Sequence, residues 1–480
     1  MKALNGLTGC VILSAAALVG CGSTDEVTNF VQANAPSITA FSASGANVVG
    51  VVTNFRAALG DPNNAAGPAA ASGRREVNWD AVPGGQTNTN AFPGNFFNTN
   101  SPRGLLMATP GTGLRVSDNN FSDVDASYAA QFNNFSPIRT FSSAGGNVIE
   151  VIFNVPGTQQ PGGVTGFGAV FSDVDTAGSS TLEFFDSVGT SLAVLPAPQR
   201  SDAGGLSFVA ALAPQNRAFA RVRITLGTGN LAPGNLDISA GGTQDLVIVD
   251  DFLYGEPQPV PGRVIAGSGN ITGVVRAFQA ALGEPNNGAG AAAAAGRREV
   301  NWDAVPGGQT NTNTFPANFF NVNSPRGLVM ATPGTGLRVS DNNFADVDAS
   351  YAAQFAFFSP VRTFSPVGGN SLDCNFFRAG TATAARVNGF GAVFSDVDVA
   401  NATRLQFVSG ADSLGTFLVP TRSDPGGLSF MGVQFAPTST ASLVRLTLGT
   451  GNLGPGLTDI SVGGANDLVI VDDFLYSEPQ

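Results

Sequence analysis

The sequence predicts an all-β protein of two tandem antiparallel β-sandwich domains, jelly-roll-like, with short helical additions. Hydrophobic residues make up 43% of the chain and charged residues only 12%, which is too apolar for a disordered chain. The 61 Gly and 29 Pro are many for a helical protein and favour short strands joined by turns. The length of 480 residues exceeds the roughly 100 to 200 residues of one domain, so at least two domains are expected.

An internal repeat defines the two domains. Segment 73–85 recurs letter for letter at 296–308, and segments 107–121 and 166–175 return at the same offset of 296 − 73 = 223. Segment 245–254 returns at 467–476, an offset of 222, so the second copy has lost one residue between Asp398 and Arg422. Each copy is far longer than the roughly 20 to 50 residues of a solenoid repeat, and each is expected to fold as a domain.

Local patterns predict the elements within each copy. Segment 246–254 alternates with period two and is apolar on both faces, which indicates a central strand. Segments 104–108, 166–171 and 221–226 are further predicted strands between glycine-rich turns. Apolar residues from Val51 to Leu59 recur at helical spacing before Gly60, and the counterpart ends before Gly283, so a short amphipathic helix is expected near the start of each copy.

The N-terminus has the features of an export signal. Lys2 precedes the apolar stretch Val11–Val19, which is too short to span a bilayer. With Leu-Val-Gly-Cys at 18–21, it resembles a lipoprotein signal and its lipobox, which implies cleavage before Cys21 and a lipid on the Cys21 thiol. Gly22, in place of Asp, resembles the outer-membrane default of Gram-negative lipoproteins, on the periplasmic or the surface face. A plain secretion signal with an incidental Cys is the alternative.

These observations give the predicted organisation of the chain. The ranges are 1–20 for the lipoprotein signal peptide, 21–37 for a flexible tether, 38–254 for the first β-sandwich module, 255–262 for a Pro-rich linker and 263–480 for the second module.

The repeated segments also resemble a known module. Phe-Arg-Ala-Ala-Leu-Gly at 55–60, Gly-Arg-Arg-Glu-Val-Asn-Trp-Asp at 73–80, and the segments 166–175 and 249–254 together resemble an uncharacterised β-sandwich module of secreted bacterial surface proteins, including some PEP-CTERM-type proteins. The resemblance implies the fold and an exposed location, and it carries no activity. The chain lacks a PEP-CTERM sorting tail, so only the module is shared. The Asp-Asp pair in the final strand is also similar to calcium-containing jelly-roll carbohydrate-binding modules.

Composition excludes several kinds of chemistry. The chain has no His and its only Lys is Lys2, which removes His-dependent nucleophilic systems, His-ligated metal sites and Schiff-base chemistry in the mature protein. The net charge of −12 repels a phosphate backbone, so no nucleic acid is expected as a partner. Cys374 replaces Val151 of the first copy and is expected to be a small buried hydrophobe. We predict no enzymatic activity and no catalytic residues.

One enzymatic alternative remains, a carboxylate-dependent glycoside hydrolase. Glu76 and its counterpart Glu299 are shared between the copies and are the candidates for it, as well as for ligand binding. An ion pair at a strand edge is the other interpretation of both residues.

The acidic residues predict structural calcium. In an extended Asp-Val-Asp run both carboxylates fall on one side, whereas adjacent Asp residues place one carboxylate on each face of a strand, where the inward one needs a cation or an Arg. We predict that Asp250 or Asp251 joins Asp173 and Asp175 in a calcium site, and that the second copy repeats it; capping of turns or pairing with Arg is the alternative, as it is for the Asp-x-Asp pair 123–125. The predicted ligands are Asp173, Asp175, Asp250, Asp251, Asp396, Asp398, Asp472 and Asp473.

Aromatic residues give the candidate ligand contacts. Trp79 and Trp302 are the two tryptophans and occupy the same place in both copies; exposed, they would stack on a sugar ring, and buried, they would be core. The Asn-rich segment 84–100 is predicted to be a long loop and the place to look for a ligand.

The sequence as a whole predicts a non-enzymatic, surface-anchored binding or adhesion lipoprotein. The membrane, through the lipid on Cys21, is one expected partner, and an extracellular polysaccharide or an envelope protein is the other. A structural cell-envelope protein without a small ligand is the alternative.

Overall fold

The computed structural model describes residues 37–480. The predicted signal peptide, the lipidation site Cys21 and nearly all of the tether therefore lie outside the described residues. Among the helices of the described part, none is long and apolar enough to cross a membrane.

The first module is built from strands with two α-helices and several short 3-10 helices. Its α-helices are α1 (Val48–Leu59) and the short α2 (Phe96–Thr99). Its strands are β1 (Thr39–Ser44), β2 (Arg74–Val77), β3 (Leu105–Ala108), β4 (Gly113–Ser117), β5 (Thr140–Ala144), β6 (Val148–Phe153), β7 (Gly162–Gly163), β8 (Gly166–Ser172), β9 (Thr181–Phe185), β10 (Ser191–Pro196), β11 (Leu206–Leu212), β12 (Arg221–Thr225) and β13 (Ile248–Gly255).

All of these strands except β7 form two antiparallel sheets. The larger has the order β1-β11-β8-β13-β5-β4, with β2 also paired to β13, and the smaller has the order β10-β9-β12-β6-β3. Strand β13 is central and buried along its whole length, as the apolar residues on both of its faces predict. Phe167 and Phe252 of the larger sheet pack with Ile149 and Phe184 of the smaller one in a single core between the sheets.

The second module repeats this arrangement, and the prediction of tandem sandwiches is confirmed. Its sheets have the orders β15-β24-β21-β26-β19-β18, with β16 on β26, and β17-β20-β25-β22-β23. The strands that follow the short β14 (Gln258–Pro259) are β15 (Gly262–Ser268), β16 (Arg297–Val300), β17 (Leu328–Ala331), β18 (Gly336–Ser340), β19 (Thr363–Val367), β20 (Ser371–Phe376), β21 (Gly389–Ser395), β22 (Arg404–Ser409), β23 (Asp412–Leu418), β24 (Leu428–Phe435), β25 (Leu443–Thr447) and β26 (Ile470–Ser477). Its helices are α3 (Thr272–Leu282), α4 (Phe319–Val322) and α5 (Tyr351–Gln354).

The predicted amphipathic helices lie on the outer faces of the larger sheets. Helix α1 packs on the first module's sheet through residues that include Phe55 and Leu59, and it ends at Gly60 with φ 92°, a backbone conformation that favours glycine. Helix α3 ends in the same way at Gly283. A Cβ atom at Gly391 would lie 2.8 Å from Cε1 of Phe278, so the missing side chain lets α3 approach the sheet.

The segment between the modules is held against the first module. Within the predicted linker 255–262, β14 pairs with β7, and Glu256 is buried in a salt bridge with Arg75. The predicted boundary itself stays a prediction.

Helix α3 also joins the two modules, because its second apolar face packs on Leu106 and Ile152 of the first module's smaller sheet. Nearby, the buried Arg263 donates from Nη1 to the carbonyl of Phe153 at 2.8 Å and from Nε to Oε1 of Gln434 at 3.0 Å. Modules and linker therefore form one packed unit over residues 38–480.

Candidate metal site

Three carboxylates converge at the same place in each module. In the first module they belong to Asp173, Asp175 and Asp237, with one oxygen from each lying within 4.8 Å of the others. The second module repeats the group with Asp396, Asp398 and Asp459. These two groups can each hold a metal ion.

Backbone donors position two of the three carboxylates. Asp173 follows β8 with φ 74°, and its Oδ1 accepts from the amide of Gly204 at 2.8 Å. Asp237 begins the 3-10 helix Ile238–Ala240 and accepts from the amides of Ser239 at 2.7 Å and Leu246 at 2.6 Å. Both residues are almost fully buried, so these carboxylates have little freedom to turn away from each other.

The third carboxylate, that of Asp175, has no such partner. Both of its oxygens are buried, and neither accepts a hydrogen bond from any described residue; Asp398 of the second module is in the same state. None of the ion pairs of the described chain involves Asp173, Asp175 or Asp237. A buried carboxylate without a donor or a cation is costly, so this pair of oxygens is the strongest evidence for an ion.

The carboxyl groups of the site also have raised pKa values, because burial and mutual repulsion disfavour their ionised forms. Burial, with the nearby charges of Asp237 and Asp175, raises the pKa of Asp173 to about 7. Burial and the carboxylate of Asp237 raise the pKa of Asp175 to about 7 as well, and the second module shows the same values for its counterparts. A divalent cation would offset the repulsion between the carboxylates, because it favours the ionised form of all three groups.

The donor set is made of oxygen. The carboxylates supply the ligand oxygens, because Gln131 and its counterpart Gln354 face them with nitrogen: Gln131 Nε2 donates to Asp173 and to Ser239, and Gln354 Nε2 donates to Asp396 at 2.7 Å. Oxygen ligands suit hard cations such as Ca²⁺, Mg²⁺ and Mn²⁺.

The structure corrects the predicted composition of this site. Asp173 and Asp175 lie together as predicted, and so do Asp396 and Asp398. The third member of the first group is Asp237, and not Asp250 or Asp251 as predicted. In the second module the third member is likewise Asp459, and not Asp472 or Asp473. Asp237 lies far along the chain from Asp173 and no spacing connects them; the repeat of Asp-Ile-Ser at 237–239 and 459–461 was the only available signal.

The final-strand pair has a different environment. The register of β13 against β8 shifts between Val249 and Phe252, and this bulge turns both carboxylates toward one hydroxyl instead of toward opposite faces. Ser136 Oγ lies 3.1 Å from Asp250 Oδ1 and 2.7 Å from Asp251 Oδ1. The prediction of one carboxylate on each face is therefore wrong.

This pair predicts a distinctive pH dependence. Burial and the neighbouring charge raise the pKa of Asp250 to about 8 and that of Asp472 to about 9, far above the value near 4 of an unfolded chain. Between about pH 4 and pH 8 the folded state thus holds protons that the unfolded state has lost, so the free energy of unfolding falls as the pH rises through this window. Asp250→Asn, which cannot ionise and keeps an acceptor for the amide of Phe135, is expected to flatten the fall.

Urea unfolding at about pH 5 and about pH 8 measures this effect. The exposed Asp412 supplies the control, because Asp412→Asn should leave the slope with pH unchanged. An unaltered slope in Asp250→Asn would contradict the raised pKa of Asp250.

The tryptophans are core residues and not ligand platforms. Trp79 and Trp302 are each 1% exposed. The ring of Trp79 stacks on Phe141 with centroids 4.1 Å apart, and its indole N–H donates to the carbonyl of Asp250 at 2.6 Å. The interpretation as sugar-stacking residues is wrong, because both rings fill the space between the two sheets.

Glu76 and Glu299 lie in ion pairs. Although burial opposes ionisation, hydrogen bonds from Arg56 and Arg74 hold the pKa of Glu76 below its usual value, the reverse of what a general acid needs. Glu299 accepts from Arg297 Nε at 2.6 Å. These contacts support the ion-pair interpretation over a ligand-binding role.

Other acidic and sulfur groups have structural contacts. Asp123 forms an ion pair with Arg115, and Asp125 caps the 3-10 helix Ala126–Ala130 through the amide of Ser127. Cys374 is fully buried in the second core, as its alignment with Val151 predicts.

The fold and the site define a tandem β-sandwich protein with one metal-competent carboxylate group in each module. No protein-family model matches the sequence, and no curated protein matches it. Among solved structures it is similar to the CBM32-1, CBM32-2 and M60 catalytic domains of Clostridium perfringens ZmpB, at 7% identity over 84% of this chain and 40% of that one, with a TM-score of 0.17. It is also similar to the CBM22-1–CBM22-2 tandem domain of Paenibacillus barcinonensis Xyn10C, at 8% identity over 80% and 94% of the two chains, with a TM-score of 0.16.

Likenesses of this size do not establish a common fold or a shared ligand. The chain spans less than half the length of the ZmpB structure. The architecture therefore rests on the strand pairing of this chain.

Proposed function

We propose that the chain is a non-enzymatic binding protein whose two modules each hold a structural calcium ion. The observation that carries the proposal is the buried, unpartnered carboxylate of Asp175, repeated in Asp398. Calcium is the proposed ion because it accepts six to eight oxygens in flexible geometry and is bound by carboxylates, amides and carbonyls. The ion would tie Asp173 and Asp175, after β8, to Asp237 in a distant loop, and so fix the loops at that end of the module.

A polysaccharide is the proposed ligand. The segment 84–100 is rich in Asn and Thr and has no charged side chain, so it offers neutral donors and acceptors of hydrogen bonds, which match hydroxyl groups. It is fixed by bridges from Thr87 and Ala91 to β4 and by the buried rings of Phe96 and Phe97. A rigid, uncharged polar loop suits an uncharged polar ligand, because little side-chain entropy is lost on binding.

Retention on insoluble polysaccharides tests this function. The full chain is expected to bind at least one of a cellulose, xylan and chitin panel in calcium, to bind it less after chelation, and to release no reducing sugar. Release of sugar would favour the glycoside hydrolase, and absence of retention on every polymer in both conditions would remove the carbohydrate ligand.

We further propose that a lipid on Cys21 anchors the protein in the outer membrane. The support is the lipobox-like sequence before Cys21 and the Gly at position 22. Cys21→Ser is expected to move the protein from the membrane fraction to the soluble fraction after cell breakage, with Cys10→Ser as the control that leaves it in place. An unchanged membrane fraction for Cys21→Ser would contradict the anchor.

A further inference from the structure

A cleft lies between the two modules. Its volume is about 660 Å³, within the range of small-molecule sites, which occur preferentially where domains meet. One wall is the segment 90–95 of the first module, and the other is the outer face of helix α3 of the second. The cleft exists once in the chain because it requires both modules.

We infer that this cleft is the binding site for a neutral saccharide chain. This inference rests on the proposed function as a polysaccharide-binding protein and places the ligand between the modules instead of on each module.

Neutral polar side chains reach the cleft from both walls. Asn95 and Gln159 come from the first module, and Thr272 and Gln279 from the second. The side-chain amides of Asn95 and Gln159 form no hydrogen bond with any described residue, so both are available to a ligand. An amide supplies donors and an acceptor together, which matches sugar hydroxyls that also do both.

The charged side chains of the cleft are already engaged. Glu284 lies 2.6 Å from Arg297 in a salt bridge, and Arg276 donates to the carbonyl of Gly111 at 2.7 Å. Arg297 also pairs with Glu299, whereas Arg276 forms no ion pair with any described residue, so the two Arg and two Glu residues in and beside the cleft sum to no net charge. This balance favours a neutral over an acidic saccharide. The half-buried Ala280 and Phe358 add apolar surface for the C–H faces of sugar rings.

The two copies differ where the cleft lies. The side of the helix that packs on its own sheet keeps Phe55 as Phe278 and Leu59 as Leu282. The exposed side has changed, and Gln159 of the first copy is matched by an alanine in the second. The changed pairs are Val49 with Thr272, Thr53 with Arg276, Arg56 with Gln279 and Gln159 with Ala382.

The packing of α3 on Leu106 and Ile152 holds the two modules in one relative position and so keeps the cleft open. Leu106 and Ile152, which receive α3, are replaced in the second module by Val329 and Asn375, so the second module offers a more polar face at the same place. A rigid cleft binds its ligand without the entropic cost of ordering two free domains.

Calorimetric titration of the full chain carrying Cys21→Ser, in excess calcium, tests the inference. The probes are cellohexaose, xylohexaose, maltohexaose and chitohexaose, with hexagalacturonate as the acidic counterpart. We expect one of the neutral probes to bind with a stoichiometry of one per chain. The double variant Asn95→Ala, Gln159→Ala is expected to weaken this binding at least tenfold. Gln159→Ala introduces the residue that the second module already has at this position, which favours normal folding.

Asn318→Ala is the matched control, because Asn318 is the counterpart of Asn95 in the second module and lies outside the cleft; its affinity should be unchanged. A stoichiometry of two, an unaffected double variant, binding of hexagalacturonate alone, or no binding of any probe would overturn the cleft. Calcium content measured on the same samples separates the two proposals: two bound ions without saccharide binding would remove the cleft and keep the calcium sites, and saccharide binding without bound calcium would do the reverse.

Discussion

Calcium is expected to raise the melting temperature of the chain by about 5 to 10 °C over the chelated protein, because a ligand at a hundredfold excess over its Kd adds about 2.7 kcal/mol to a folded module. The gain should come from calcium bound at the three-carboxylate group of each module. Scanning calorimetry with calcium and with chelator measures it. An identical midpoint in both conditions would contradict the calcium sites.

Asp175→Asn is expected to shift the melting temperature in opposite directions with and without calcium. Without calcium the variant removes one of three adjacent negative charges, so its module is expected to melt above the native one. With calcium the variant lacks a ligand, so its module should melt below the native one. Asp398→Asn should do the same in the second module. Asp125→Asn is the control, since Asn caps a helix as well as Asp does, and Asp125 lies outside both groups. A variant that is less stable in both conditions would favour a purely structural role for Asp175.

The second large effect is expected from Glu256→Gln, which should destabilise the first module by about 3 to 5 kcal/mol because it leaves a buried guanidinium without its counter-charge. Arg75 and Glu256 are 1% and 2% exposed and form two hydrogen bonds, of 2.7 and 2.8 Å. The pair fastens the segment after β13 to β2. Glu478→Gln should have the same effect in the second module, where Arg298 is the partner.

Urea unfolding measures both variants. Asp202→Asn is the control: Asp202 is 57% exposed in its pair with Arg200, and the loss should stay within about 1 kcal/mol. Equal losses in Glu256→Gln and Asp202→Asn would show that burial does not set the strength of these pairs.

The fold could be predicted from the sequence because its signals are local and repeated. Alternation in β13 identifies a central strand, and helical spacing before Gly60 and Gly283 identifies α1 and α3. The packing of α3 on Ile152 could not be predicted in this way, because α1 and α3 share the apolar residues that pack on their own sheets, and these residues do not indicate the second surface that α3 meets on the other module.

The candidate site could be predicted only in part. The spacing of Asp173 and Asp175 places two carboxylates together. Asp237 is brought to them by the folding of a distant loop, which no periodic sequence pattern indicates. The bulge in β13 lets Asp250 and Asp251 approach the same hydroxyl group instead of lying on opposite faces of the strand, since alternation holds only while the register is regular. The burial of Trp79 follows from the aromatic cluster around it, which assembles residues from distant strands.

Calcium stoichiometry tests the central claim most directly. Calorimetric titration of the chelator-stripped chain is expected to give two ions per chain, one ion for Asp175→Asn or Asp398→Asn alone, and none for the double variant. Two ions retained by the double variant, or no calcium bound by the native chain, would contradict the account.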